Sequence, residues 1–222
     1  MFLKIGHRGA KAYEVENTVD SYKKAVELGA NAIELDVRLS KDRELVVCHD
    51  NNLKKIFGID MPVHEATMIE LKKATGNRII TLAEALQSVG RNVVKILVEL
   101  KEMGHEKNIL DAVKKDNRKD RLIIVSFHEE ALAVVRTQDK EIETGLIYTK
   151  IRNPVEAARK LGASYLLPFY RFTHTKDIEK AHRSNLKVLV WTINTEEEVS
   201  AYIAKGVDGI ATDRPDIFHG RA

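Results

Sequence analysis

The chain has 222 residues, 44% of them apolar and 31% charged, and a formal net charge of +3. That length suits one domain with a substantial core. The mixed composition excludes collagen-like, low-complexity and disordered chains, and the small net charge gives no global field for nucleic acid or an anionic membrane.

The first strand candidate is Phe2 to Gly6. It meets Lys4 early and His7-Arg8 soon after, which leaves no room for the apolar core of a signal peptide. Asn17 reads as a helix cap with Asp20 in the first turn, and the helix closes at Leu28-Gly29-Ala30, where a glycine can turn left-handed. A strand follows from Ala32 to Val37. The next run, Leu45 to Cys48, comes too soon for a crossover helix, so it is read as the return arm of a hairpin turning near Lys41-Asp42. Cys48, the single cysteine, can form no internal disulfide or cysteine zinc cluster and reads as a small apolar strand residue in a reducing compartment.

Residues 51–77 lack clean periodicity and read as a short insertion. Beyond them come strands at Val93 to Leu100, Leu122 to Ser126, Gly145 to Tyr148, Tyr165 to Leu167, Val188 to Ile193 and Gly209 to Ala211. Helices begin at Asn153-Pro154 and at the Thr195, Glu198 capping pair, and Leu161-Gly162-Ala163 and Lys205-Gly206-Val207 repeat the closing pattern seen at Gly29. Strands alternating with helices indicate parallel strands joined by crossovers, and eight such units in a chain this long make a (β/α)8 TIM barrel of minimal size. Nine candidates are one too many, and the hairpin accounts for the extra strand. The expected architecture is therefore α/β: one domain over residues 1–222, a TIM barrel with a β-hairpin near its mouth and a short insertion after the third strand. No apolar run approaches the ~18 residues of a membrane span, so the expectation is a cytoplasmic protein with no integral membrane segment. Oligomeric state is not legible.

Period-two alternation puts Ile33, Leu35, Val37 and Leu39 on one face of the second strand and Glu34, Asp36 and Arg38 on the other. Taken alone, that polar face suits an edge strand with a wet side. Val93 to Lys101 repeats the pattern, with Glu99 and Lys101 opposite Val98 and Leu100. In a barrel the outer faces pack against helices, so the polar parity turns inward near the mouth, where active sites lie. The hairpin, turning near Lys41-Asp42, would set Glu34 across from His49 and Asp36 across from Val47. His7 and Arg8 follow the first strand to the same mouth.

Three carboxylates, Glu34, Asp36 and Glu99, converging without Cys or a histidine pair suit one hard divalent cation, Mg2+ or Ca2+, better than zinc. Arg8 and Lys101 add positive charge that can meet a phosphate. His7 and His49 can exchange protons near neutral pH with an attacking and a leaving oxygen, so the set describes phosphodiester cleavage. The histidines at 64, 105, 128, 174, 182 and 219 have no comparable setting.

His7-Arg8-Gly9, Glu16-Asn17-Thr18, Gly29-Ala30 with Ile33-Glu34-Leu35-Asp36-Val37, Val46-Val47-Cys48-His49-Asp50, Val98-Glu99-Leu100-Lys101, Val190-Trp191-Thr192-Ile193-Asn194 and Ala211-Thr212-Asp213-Arg214-Pro215 follow one another in an order that resembles the glycerophosphodiester phosphodiesterase family over nearly the whole chain. The resemblance implies a (β/α)8 barrel with a cation on Glu34, Asp36 and Glu99, acid and base roles for His7 and His49, and phosphate held by Arg8 and Lys101. It also implies that Trp191 lines the glycerol side, although core packing is an equal reading of that residue. The implied reaction is hydrolysis of a small-molecule glycerophosphodiester to glycerol 3-phosphate and an alcohol, with attack by water or by the substrate's own vicinal hydroxyl.

The chain departs from the pattern at Val15, where the family usually has Pro, and at Arg43, where it usually has a turn Gly. The segment after Asp50 is short for the family, which predicts an open mouth. Phe169-Tyr170-Arg171-Phe172 reads as a packed loop, with an apolar wall at the mouth as the other reading. Three alternatives stay open: a lysophospholipase D-like enzyme, a phospholipase C-like enzyme, and a non-catalytic barrel that binds phosphorylated ligands.

Overall fold

Eight parallel strands form a closed ring in the computed structural model, which describes residues 1–90, 92–115 and 119–220. They are β1 (Leu3–Gly6), β2 (Ala32–Leu39), β4 (Lys95–Leu100), β5 (Leu122–Ser126), β6 (Glu143–Tyr148), β7 (Tyr165–Pro168), β8 (Lys187–Val190) and β9 (Gly209–Thr212). β1 pairs with β9 on one side and β2 on the other, which shuts the barrel. The ninth strand, β3 (Leu45–Val47), lies antiparallel on β2, as the hairpin requires.

The crossovers are α1 (Val19–Glu27), α4 (Leu82–Ser88), α5 (Glu106–Lys115), α6 (Glu129–Gln138), α7 (Pro154–Leu161), α8 (Thr175–His182) and α9 (Glu196–Ala204). Between β3 and α4 lie α2 (Lys54–Phe57) and α3 (Met68–Ala74); Leu53, just before α2, and Met68 and Leu71 of α3 pack on Val46 and Cys48 in a small apolar cluster of their own. Helix starts are fixed locally. Thr67 with Glu70 and Thr81 with Glu84 form reciprocal capping boxes, each side-chain cap contributing about 1 kcal/mol. Gly29, Gly162 and Gly206 all take positive φ at the ends of their helices. α1 corrects the expected cap: its N-cap is Thr18, whose hydroxyl accepts from the Ser21 N–H, while Asn17 is drawn inward.

Alternation along the strands builds two apolar layers. Ile33, Leu35, Val98, Leu100 and Ile124 face the helices, whereas Ile5, Ala32, Leu97, Val125, Ile147, Leu167 and Leu189 fill the barrel. The polar residues of β2 and β4 share the inward parity, so the same pleat that buries the barrel core carries Glu34, Asp36 and Glu99 to its open end.

The hairpin register differs from the expected one by a residue. Val37 pairs with Val47, and Cys48 N–H donates to the Asp36 carbonyl, so Asp36 faces Cys48 rather than Val47, and His49 lies past the ladder rather than across from Glu34. The reason is the turn. Three residues, Lys41, Asp42 and Arg43, span from Ser40 to Glu44, closed by Ser40 N–H to Glu44 O, and Arg43 sits at φ 62° where the expected two-residue turn has no residue to place.

Candidate active site at the barrel mouth

The segment after β1 is folded tightly against α1. Arg8 and Gly9 both have positive φ, and a Cβ at Gly9 would fall 2.3 Å from Ser21 Oγ, so only glycine admits this approach. The approach aims Arg8 at the carboxylates. Its backbone N–H donates to Glu34 Oε2 at 2.9 Å, its Nη1 donates to Glu16 at 2.8 Å, and its Nε lies 3.2 Å from Asp36 Oδ2. Lys101, beyond β4, places its Nζ 2.6 Å from Glu99 and 3.5 Å from Asp36. Asn17 completes the shell by donating to Asp36 Oδ2 at 2.9 Å while its own carbonyl accepts from the Asp36 N–H.

Glu34, Asp36 and Glu99 are all buried and each offers an oxygen within 4.8 Å of the others'. Three carboxylates do not sit this close in a dry site without consequence. Burial, reinforced by Asp36 and Glu99, pushes Glu34 well above the usual carboxylate range, and burial with Asp36 raises Glu99 to about 7. Burial also pushes on Asp36, but Arg8, Lys101 and the Asn17 hydrogen bond outweigh it and hold that carboxyl low. Glu34 Oε1 and Asp36 Oδ1 are buried without a hydrogen-bond partner. An all-oxygen donor set with orphaned oxygens is the environment a hard divalent cation fits, and it is what the two fixed cations leave unsatisfied.

The histidines stand beside this group, each oriented by a carboxylate. His7 Nδ1 lies 2.7 Å from Asp213 Oδ1 and His49 Nδ1 lies 2.7 Å from Asp50 Oδ1, which leaves Nε2 of both rings for proton exchange. Burial, with Arg8 and Lys101 nearby, lowers the His49 pKa and so favours the neutral ring. Asp213 is itself held by Asn194, which donates to Oδ2 at 2.8 Å and accepts from the Asp213 N–H and the Thr212 hydroxyl. Asp50, Asp213, Asn17, Asn194 and Glu16 were not among the site residues expected from the sequence. All five lie inside or beside the quoted motifs, so motif membership was the available signal.

A cavity of about 270 Å3 gathers His7, Arg8, Glu34, His49, Glu99, Lys101 and Trp191. Asp36 lies just beneath it, fully buried. The opposite wall is apolar: Val125, Phe127, Ile147, Leu167 and Leu189. Trp191 faces this cavity rather than the helix layer, its Nε1 donating to the Leu167 carbonyl at 2.7 Å and its ring edge-on to Phe127. Phe169 packs on Trp191 and on Phe172, which is 46% exposed, while Tyr170 is buried against Tyr202. The loop is thus packed, with Phe169 backing Trp191 rather than lining the cavity itself. A larger groove of about 490 Å3 beside α7 and α8 holds Lys150, Arg152, Asp177 and Lys180 but neither a histidine nor a carboxylate cluster, so it lacks the groups for diester chemistry.

The glycerophosphoryl diester phosphodiesterase family model matches residues 7–217, a span that holds every one of these groups. The chain belongs to that family. A glycerophosphodiester phosphodiesterase of Caldanaerobacter subterraneus subsp. tengcongensis is 34% identical, with 96% of this chain and 95% of the relative covered. The crystal structure of a glycerophosphodiester phosphodiesterase from Thermotoga maritima superposes with a TM-score of 0.85 at 32% identity, covering 99% of this chain and 98% of that one. An Oleispira antarctica phosphodiesterase in complex with the product sn-glycerol-3-phosphate gives a TM-score of 0.89 at 26% identity, covering 97% and 94%. The enzyme class of this family member is glycerophosphodiester phosphodiesterase. Among the described residues no helix is long and apolar enough to cross a membrane.

Proposed function

We propose that this chain hydrolyses glycerophosphodiesters to glycerol 3-phosphate and an alcohol with one divalent cation, Mg2+ or Ca2+, on Glu34, Asp36 and Glu99, and with His7 and His49 as the proton-exchanging pair. The observation that carries the reading is the juxtaposition of three buried carboxylates within 4.8 Å and two imidazoles, each fixed through Nδ1, beside one cavity. The glycerol 3-phosphate held by the Oleispira relative agrees with the products.

When bound, the cation would polarise a phosphoryl oxygen and offset the negative charge of the site. Arg8 and Lys101 stay protonated between the carboxylates and are placed to meet the remaining phosphate oxygens. His49, neutral through burial, takes the proton of the attacking oxygen as the new P–O bond forms. His7, steadied by Asp213, delivers a proton to the alcohol oxygen as its bond to phosphorus breaks. The same two rings serve whether the attacking oxygen is that of water or of the vicinal hydroxyl. The amphipathic cavity sets the polar phosphate against Arg8 and Lys101 and the carbon skeleton against Trp191 and its apolar neighbours.

Glu34→Ala is expected to abolish metal-supported hydrolysis with the fold intact, and His49→Ala to do so without releasing the metal. Full activity in either variant contradicts the reading. The exposed aromatic rings of Phe127 and Phe172, joined through Trp191 and Phe169, favour one second reading, a lysophospholipase D-like use of the same site on diesters with an apolar chain. Mass analysis of products from glycerophosphocholine and lysophospholipid separates the two.

A further inference from the structure

Arg38 carries the inward parity of Glu34 and Asp36, yet it reaches neither the carboxylate cluster nor the cavity. Its side chain is largely buried and spans three segments. Nε donates to the His49 carbonyl at 2.8 Å, Nη1 donates to Glu102 Oε2 at 3.1 Å, and the other oxygen of Glu102 accepts from the Leu39 N–H at 2.9 Å. Glu102 directly follows Lys101, on the loop that leaves β4.

His49 needs such a hold because of the hairpin register. Regular pairing ends at Val47, and the last ladder-like bond is Cys48 N–H to Asp36 O. From His49 onward the chain has left β2, and the Asp50 carboxylate fixes only which ring nitrogen is free. Beside the Cys48 N–H bond to Asp36 O and the Cys48 Sγ bond to Asp50 O, the Arg38 guanidinium holds the His49 carbonyl itself. A planar fork with donors in several directions can bridge a carbonyl and a carboxylate at once, which a lysine ammonium on a flexible stem does less rigidly.

We propose that Arg38 and Glu102 form a positioning clamp that sets the distance between the His49 ring and the end of β4, where Glu99 and Lys101 sit. The proposal rests on the reading of His49 as a proton-exchanging group. It assigns Arg38 no contact with substrate or cation; its effect passes through His49. Displacement of a reacting group by about 1 Å can cost on the order of a hundredfold in rate, so the clamp acts on turnover rather than on binding.

The test uses steady-state kinetics on whichever member of a glycerophosphodiester panel the wild type turns over fastest, with calorimetric titration of Mg2+ or Ca2+ alone. Arg38→Gln is expected to lower kcat roughly ten- to a hundredfold with KM and metal affinity within about twofold of wild type. Glu102→Gln, which keeps an acceptor but loses its charge, is expected to lower kcat by roughly three- to tenfold. Wild-type kcat in Arg38→Gln, or a loss carried by KM or by metal affinity with kcat unchanged, overturns the clamp. If Arg38→Gln does not fold, Glu102→Gln decides: the stated loss supports the clamp and wild-type kcat overturns it. Full activity in His49→Ala alone would instead remove the underlying assignment of His49.

Discussion

His7 Nδ1 and Asp213 Oδ1 lie 2.7 Å apart, 206 residues from each other in the chain. Barrel closure makes them neighbours: β1 pairs with β9 in register from Leu3 with Gly209 to Gly6 with Thr212, and the His7 N–H continues the ladder to the Thr212 carbonyl. The first and last strands therefore contribute one imidazole and the carboxylate that orients it.

Asp213→Asn keeps the size of the side chain and removes its charge. The His7 ring then loses the partner that selects which nitrogen is free, and kcat is expected to fall by roughly a hundredfold or more with KM changed only a few-fold. Asn194 still holds residue 213 in place, so the midpoint of urea unfolding should move little. Unchanged kcat would show that the carboxylate does not serve His7.

The carboxylate cluster predicts an inverted pH dependence for the metal-free protein. Glu99, raised to about 7, and Glu34, raised well above its ordinary value, bind protons more tightly folded than unfolded. The Glu99 contribution is fully present below an unfolded-state value near 4.5 and is lost as pH rises through about 7, an effect of about a few kcal/mol, and that of Glu34 is likewise lost as pH rises. Asp36, held low, acts only at more acidic pH, where its contribution is lost as pH falls through its folded value. Urea unfolding of chelator-treated protein should show lower stability at pH 8 than at pH 5, and added divalent cation should raise the pH 8 value, because cation binding favours the deprotonated carboxylates. Greater stability at pH 8 than at pH 5 without metal would contradict the cluster's electrostatics.

Arg43→Gly should stabilise the chain. Arg43 holds φ 62° in the three-residue hairpin turn, and its longest reach, a 3.5 Å contact to the Gly104 carbonyl, is weak. Glycine takes that conformation without the Cβ clash, for a gain of up to about 1 kcal/mol read as a shift in the urea midpoint. Destabilisation would mean that the guanidinium contact outweighs the backbone strain.

The eight-stranded barrel, the hairpin and the convergence of Glu34, Asp36, Glu99, His7 and His49 at one mouth were legible because alternation fixes faces and crossover length fixes strand direction. The hairpin register was not. The pattern locates a turn without counting its residues, and the third turn residue at Arg43 shifts every pair by one. Asn17 reads as a helix cap because its residue type favours that position; the structure gives that task to Thr18 and spends Asn17 on Asp36. Asp213 and Asn194 stood in the quoted motifs without roles, since nothing local in the sequence says that the end of β9 meets the end of β1. Trp191 was balanced between core and cavity because parity groups it with Leu189 and Ile193 without saying which face is inward; Leu189 fills the barrel, and Trp191 follows it and donates to the Leu167 carbonyl.

The central claim is metal-supported hydrolysis at the Glu34, Asp36 and Glu99 cluster. Its most direct test is glycerol 3-phosphate release from a glycerophosphodiester by wild-type protein stripped with chelator and then supplied with Mg2+ or Ca2+ in turn. The account predicts no turnover after stripping and recovery with at least one of the two cations, with no recovery in Glu34→Ala. Full release of glycerol 3-phosphate by the stripped protein, or equal recovery in Glu34→Ala, would contradict it.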